Sequence, residues 1–313
     1  MSCNELGRIF AKKGIAMSDR SRREFLVNTA TITGSGLAAA TLDAVSPQQP
    51  PAAQHPLRYR LGIVTYNIAA NWDLTALLRI CRAVGLGPVE LRTTHRHGVE
   101  PTLSADQRRE VRRRFSDAGV EIWGCGSVCE FHSTDQAVVR RNIETCRQFC
   151  QLVADIGGRG VKVRPNDLPA GVPTERTLAQ IGRSLRECGR AANDAGVEIW
   201  VEVHGRGTAH PPHMATMMRE ADHPRVGVTW NSNPTDVVNG SVAEYFRLLR
   251  PWIKSCHINE LHSGYPYREL FRLLREANYD RCTLAEIQGM PDEATGERLM
   301  RYYKALWTEL ARA

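Results

Sequence analysis

Glu202 and His204 close the run Val197–Gly205, VEIWVEVHG. A carboxylate and an imidazole two residues apart can share a cation or work a proton. Residues two apart in an extended strand lie on one face. Glu198, Trp200, Glu202 and His204 therefore point one way, and Val197, Ile199, Val201 and Val203 the other. The β-branched face fits beneath an outer helix. The acid and the imidazole then stand at the C-terminal mouth of a parallel barrel, where such barrels keep their chemistry. An edge strand with solvated charges is the alternative.

A barrel needs eight strand–helix units, and the chain supplies them. Strand patterns at Arg60–Ile68, Pro88–Thr93, Val120–Cys125 and Gly160–Pro165 alternate with helical ones at Leu74–Val84, Ser104–Ala118, Asp135–Ile156 and Pro173–Ala195. The second half repeats this, with strands at Val197–His204, Arg225–Asn231, Ile253–Glu260 and Arg281–Ile287. Its helices are His213–Ala221, Ser241–Arg250, Tyr267–Ala277 and Asp292–Ala313. Gly85, Gly119 and Gly196 mark helix ends, and Ser104 and Ser241 are expected N-caps. The span predicts an α/β fold, a (β/α)8 TIM barrel of one domain over residues 57–313. An open doubly wound sheet is the rival, but no Gly-x-Gly-x-x-Gly follows the first strand.

The alternation rule carries other polar residues to strand tips. Strand 2 offers Glu90 and Arg92, strand 4 Lys162, Arg164 and Asn166, and strand 6 Thr229 and Asn231. Strand 7 offers Ser255, His257 and Asn259, and strand 8 Cys282, Leu284 and Glu286. Two carboxylates and two imidazoles thus converge from strands 5, 7 and 8. Burying so many titratable groups is costly unless function or a metal requires it.

With these residues in view, the chain from Leu57 to Ala313 resembles the xylose isomerase-like TIM barrels, the sugar-phosphate isomerases and epimerases. The resemblance rests on Glu202 in VEVHG, on VGVTWN, on His257 in SCHINE and on Glu286 in LAEIQ. It implies one divalent cation, Mn, Mg, Zn or Co, on Glu202, Asn231, His257 and Glu286. The family has Asp where this chain has Asn231, so the site carries one negative charge fewer. A histidine often found three residues further on falls on Pro234. The resemblance further implies a carbohydrate ligand and proton transfer beside a carbonyl, with Glu202 and Glu286 as acid and base. Lys162, His204, Glu90, Arg164, Trp230 and Asn259 are the expected substrate-binding residues, with Trp123 and Tyr66 as further stacking candidates. The same residues serve a keto-sugar lyase or hydratase. A non-catalytic sugar-binding barrel is the reading from another class, and a DNA-repair nuclease a third.

Composition narrows the field. The 313 residues are 42% apolar and 24% charged, with a net charge of +7. That is ordinary globular composition with a mild basic surplus. No apolar run reaches the ~18 residues of a membrane span, so no stable membrane anchor is expected. The arginines at 108, 109 and 112–114 fall on an outer helix and read as a solvated face or a subunit contact rather than a nucleic-acid surface; an oligomer is compatible with that. The nine cysteines lack a disulfide or zinc-finger pattern and are expected to be buried free thiols. Ser21–Leu26, SRREFL, resembles a twin-arginine signal. A weakly apolar stretch and small residues follow it, and then a Pro/Gln-rich spacer. Residues 1–56 are thus expected to be an export signal and linker, placing the protein in the periplasm or beyond the cytoplasm. Three loops should shape specificity: Thr94–Thr102, Asn231–Gly240 and the segment from His262.

Overall fold

In a computed structural model the first strand, β1 (Arg60–Val64), pairs in parallel with both β2 (Pro88–Arg92) and β8 (Cys282–Ala285), which closes a ring. The strands follow in chain order around it: β3 (Glu121–Glu130), β4 (Gly160–Arg164), β5 (Glu198–Glu202), β6 (Val226–Asn231) and β7 (Ile253–Ile258). The structure describes residues 57–313. The expected export signal and spacer, residues 1–56, lie outside the described residues. The eight-stranded parallel barrel expected from the strand–helix alternation is present.

Each helix follows from its local chemistry. In α1 (Leu74–Val84) the Asp73 side chain accepts the Ala76 N–H, and Gly85 ends the helix with a left-handed backbone. In α2 (Ala105–Ala118) Ser104 and Gln107 form a reciprocal capping box. Asp135 and Asp292 cap α3 (Gln136–Ile156) and α8 (Glu293–Arg312) with side chains that accept the Ala137 and Thr295 N–H. The remaining helices are α4 (Thr174–Asp194), α5 (Pro211–Ala221), α6 (Ala243–Leu249) and α7 (Tyr267–Glu276). Ser241 is not the N-cap of α6. Val242 takes that position, with its N–H on Glu269, while the Ser241 hydroxyl accepts from Ala243 N. The β3 strand runs five residues beyond its expected end at Cys125, because Glu130 comes back into register with Arg164 across a bulge.

Two apolar cores result. The larger lies between strands and helices and takes in Val201 and Val203 from the outer face of β5. The smaller fills the inside of the barrel with Val64, Trp123, Trp200, Cys282 and Leu284. The Trp123 and Trp200 rings stack 5.0 Å apart, and Trp123 Nε1 donates to Ser255 Oγ. A β-carbon on Gly160 would run into the Trp200 ring, so this indole needs glycine on the next strand. The tryptophan plug forms a solid floor, and everything above it faces the C-terminal mouth. The eight cysteines among the described residues are free and buried.

Candidate active site

Above the tryptophan floor the inner face of β5 continues to Glu202, which is 3% exposed. Strand order and register set its neighbours. Lys162 comes from β4, Asn231 from the end of β6 and His257 from β7, and Glu286 follows β8 directly. Lys162 Nζ donates to Glu202 Oε2 at 2.7 Å, and Asn231 Nδ2 to Glu202 Oε1 at 3.3 Å. His257 is fully buried. Its Nε2 lies 3.2 Å from Glu90 Oε2, and its Nδ1 is 3.6 Å from Glu286 Oε2 and 4.0 Å from Glu202 Oε1. Just past β5 the chain turns at Gly205 with φ +95°. A β-carbon there would strike the Asn166 carbonyl, so only glycine lets the strand turn away immediately after His204.

The charges in this cluster hold one another. Burial alone would drive the Glu202 carboxyl up, but Lys162, then His257 and His204, keep it well below the usual carboxylate range. Burial likewise opposes charge on Lys162, and Glu202, Glu90 and Glu286 overcome it and raise its pKa. Desolvation disfavours a charged His257 ring, yet Glu90 and Glu286 outweigh it and carry the imidazole up to about 10. In this state Lys162 and His257 are the counter-ions of three carboxylates.

The donor set suits a divalent cation. Ligand atoms of Glu202, His257 and Glu286 all lie within 4.8 Å of one another. Asn231 Oδ1 and His257 Nδ1 are buried and have no hydrogen-bond partner among the described residues. Two carboxylates, an imidazole nitrogen and an amide oxygen fit a hard-to-borderline ion. The outer partner is present too: Glu90 Oε2 accepts from His257 Nε2, which leaves Nδ1 facing the two carboxylates.

A cavity of about 260 Å³ opens over this cluster. Of the expected residues, Lys162, Arg164, Glu202, His204, Asn231, Asn259 and Glu286 line it. Asn259 is fixed by Ser232 O and the Tyr267 hydroxyl, and His204 Nδ1 has no partner among the described residues. Glu90 is fully buried behind His257 and is not part of the lining. Trp230 is not there either. It lies on the outer face of β6, edge-on to Phe246, and its Nε1 donates to the Tyr265 hydroxyl, which donates to Asp236. That chain ties β6 to the loop beyond it. Trp123 is in the floor, whereas Tyr66 is on the cavity wall. Gln288 and Arg92 complete the wall. Arg92 is one of the inward strand-2 residues that alternation offers, and Gln288 continues the alternation after Glu286, so carrying the period two residues further would have found it.

On α2 three of the five arginines are ion-paired, two of them within the helix. Arg113 pairs with Glu110 and Asp117, Arg109 with Asp106, and Arg108 with Asp155 of α3. Among the described residues no helix is long and apolar enough to cross a membrane.

A sequence model of the xylose isomerase-like TIM barrel family matches residues 78–306. No curated protein matches the chain. Solved structures share the fold. A D-psicose 3-epimerase with D-tagatose from Clostridium cellulolyticum H10 is similar at 14% identity with a TM-score of 0.70, over 81% of this chain and 100% of that one. The IOLI protein with a bound zinc atom is similar at 15% identity with a TM-score of 0.69, over 80% and 98%. A probable 3-DHS dehydratase from Bacillus anthracis is similar at 16% identity with a TM-score of 0.63, over 79% and 99%.

Proposed function

The chain belongs to the xylose isomerase-like TIM barrel family, and from that premise we propose that it is a divalent-metal-dependent isomerase or epimerase of a sugar or related polyol. The observation that carries the reading is the meeting of Glu202, His257 and Glu286 at the cavity floor, with an unpartnered Asn231 oxygen in the same cluster. These four residues would hold the cation. When bound, it supplies the polarisation of a substrate carbonyl and a clamp on an adjacent oxygen.

The protein's own groups do the rest. Lys162 keeps Glu202 ionised, and Glu286 reaches the cavity with its carboxylate partly open. One carboxylate takes the proton from the carbon beside the carbonyl, and the other gives a proton back. His204 and Asn259 are placed at the wall to hold hydroxyl groups. Among the described residues the tryptophan floor closes the barrel below the cluster, and the cavity opens at the mouth.

The test is a metal determination on the purified protein followed by incubation with ketoses in deuterium oxide. We expect one bound divalent ion per chain and deuterium at the carbon beside the carbonyl, lost on chelation. Loss of a substituent from the next carbon, in place of an exchanged sugar, would make the reaction an elimination by the same residues. Sugar binding with neither metal nor exchange would reduce the barrel to a binding protein.

A further inference from the structure

The β2 and β4 side of the cavity is basic at its rim. Arg92 ends β2 and Arg164 ends β4, and both line the cavity. In a closed ring of eight, β2 stands across from β6 and β4 across from β8, the strands beside Asn231 and Glu286. On the strand between the two arginines Gly126 is in register with Arg92 and Lys162, and the acid it brings to their level, Glu130, is in register with Arg164 alone. The guanidiniums feel each other: burial, then the Arg164 charge, pulls the Arg92 pKa below its usual value.

Their own partners leave charge over. Arg164 Nη2 donates to Glu130, but Arg164 Nε is buried with no partner among the described residues. Arg92 Nη1 donates to Thr93 O and Thr94 Oγ1, both neutral, and its guanidinium lies over the Tyr66 ring. Among the described residues Arg92 makes no ion pair. Two like charges held together in a half-enclosed site are unfavourable unless an anion joins them, and a guanidinium fork fits a carboxylate.

We infer that the substrate is a sugar acid, with its carboxylate seated between Arg92 and Arg164 and its reacting carbon over Glu202 and Glu286. The inference rests on the proton-transfer reading of this cavity and specifies its substrate class. A carboxylate is favoured over a phosphate for two reasons. Glu130 already offsets part of the positive charge, leaving a seat matched to one negative charge rather than two. Phosphate sites draw on backbone N–H groups at helix N-termini, and no first-turn helix residue is among those lining the cavity.

The experiment uses the full chain as purified, at physiological ionic strength to suppress non-specific attraction. Ketohexoses, the keto-uronates of the same skeletons and the 6-phosphates of those ketohexoses are compared by calorimetric titration. Each is also incubated in deuterium oxide. We expect at least one keto-uronate to bind about tenfold or more tightly than its neutral counterpart, a gap of one charge-assisted hydrogen-bonded contact. That ratio should collapse in Arg92→Gln and in Arg164→Gln, and survive in part in Arg92→Lys, with each variant first shown to melt near the parent temperature. Equal affinity for acid and neutral sugar, tighter binding of the phosphates, a ratio untouched by both glutamine variants, or no binding of any acid overturns the inference. The two readings fail separately. Exchange into neutral ketoses as fast as into the acids removes the carboxylate seat and keeps the proton transfer. Selective acid binding without exchange into any sugar removes the proton transfer and keeps the seat.

Discussion

Glu198 and Glu202 stand four residues apart on the inner face of β5, and each meets a lysine. Below the tryptophan floor, Glu198 Oε1 accepts from Lys254 and Oε2 from Trp200 Nε1 and Arg281. Both oxygens are satisfied, two cations face one acid, and solvent reaches the group. Above the floor, three acids share Lys162 and His257, and Glu90 Oε1, Asn231 Oδ1, His204 Nδ1 and His257 Nδ1 have no partner among the described residues. The lower network is complete without a ligand, and the upper one is not. Buried polar atoms are seldom left unpartnered in a structural network. The same residue type on the same strand face thus reads as a stability element at one end and as a reactive one at the other, as expected of the two ends of such a barrel.

The largest effects should separate the two ends by kind. Glu286→Gln and Glu202→Gln are expected to lower the exchange rate by ~10³-fold or more, since each removes a proton carrier. Glu198→Gln should leave that rate within about twofold and cost roughly 1–3 kcal/mol of stability, the loss of charge-assisted hydrogen bonds in a partly solvated cluster. Exchange kinetics and urea melts on the same samples read both. A Glu198→Gln protein of unchanged stability that no longer exchanges would break the comparison.

The lysines should differ next. Lys162→Met strands Glu202 in a buried site and is expected to cost about 3–5 kcal/mol in metal-free protein. Lys254→Met leaves Glu198 with Arg281 and Trp200 and should cost about 1 kcal/mol. Added divalent cation should restore much of the loss in Lys162→Met, because a cation on Glu202 takes over the neutralising charge, and none of the loss in Lys254→Met. Thermal melts with and without metal check this. Equal losses, both indifferent to metal, would mean that the upper cluster is structural as well.

This division was half legible in the sequence. Alternation in VEIWVEVHG put Glu198 and Glu202 on one face, and glycine stops after the helices gave the barrel. What alternation cannot give is height. Glu90 is correctly placed inside, but whether an inward residue reaches the cavity or stands behind a neighbour depends on the stagger of adjacent strands and on bulges such as the one at Val89/Glu90. Trp230 shows the opposite error. Period two in VGVTWN already puts Thr229 and Asn231 inside and Trp230 outside, and expecting an aromatic against a sugar overrode the pattern. The β3 extension was hidden because Gly126 and Ser127 are poor strand formers, and pairing of Gly126 with both neighbours and of Glu130 with β4 overrides that. The cation pair Arg92 and Arg164 needs two side chains from strands 2 and 4 to converge, and neither strand alone specifies that.

The finest contrast concerns a proton that the lower network has no counterpart for. In metal-free protein His257 is raised from 6.5 to about 10, burial opposing and Glu90 and Glu286 favouring the charge. A raised folded pKa gives stability that is fully present below pH 6.5 and is lost as pH rises through about 10. A cation taken up on Nδ1 must displace that proton, so apparent metal affinity should climb about tenfold per pH unit from neutrality and level off near pH 10. Glu90→Gln acts on this in two opposing ways. It removes one of the carboxylates that hold the proton, which lowers competition. It also loosens the imidazole orientation, an effect worth about 10- to 100-fold in affinity at other metal sites. The net change at pH 7 should therefore be small, about tenfold or less, while the levelling point moves to lower pH. Competition titrations against a chelating dye between pH 6 and 10 measure both quantities. A levelling point unmoved by Glu90→Gln would mean that Glu90 does not hold the His257 proton, and would place Glu90 with Glu198 among the residues that only support the fold.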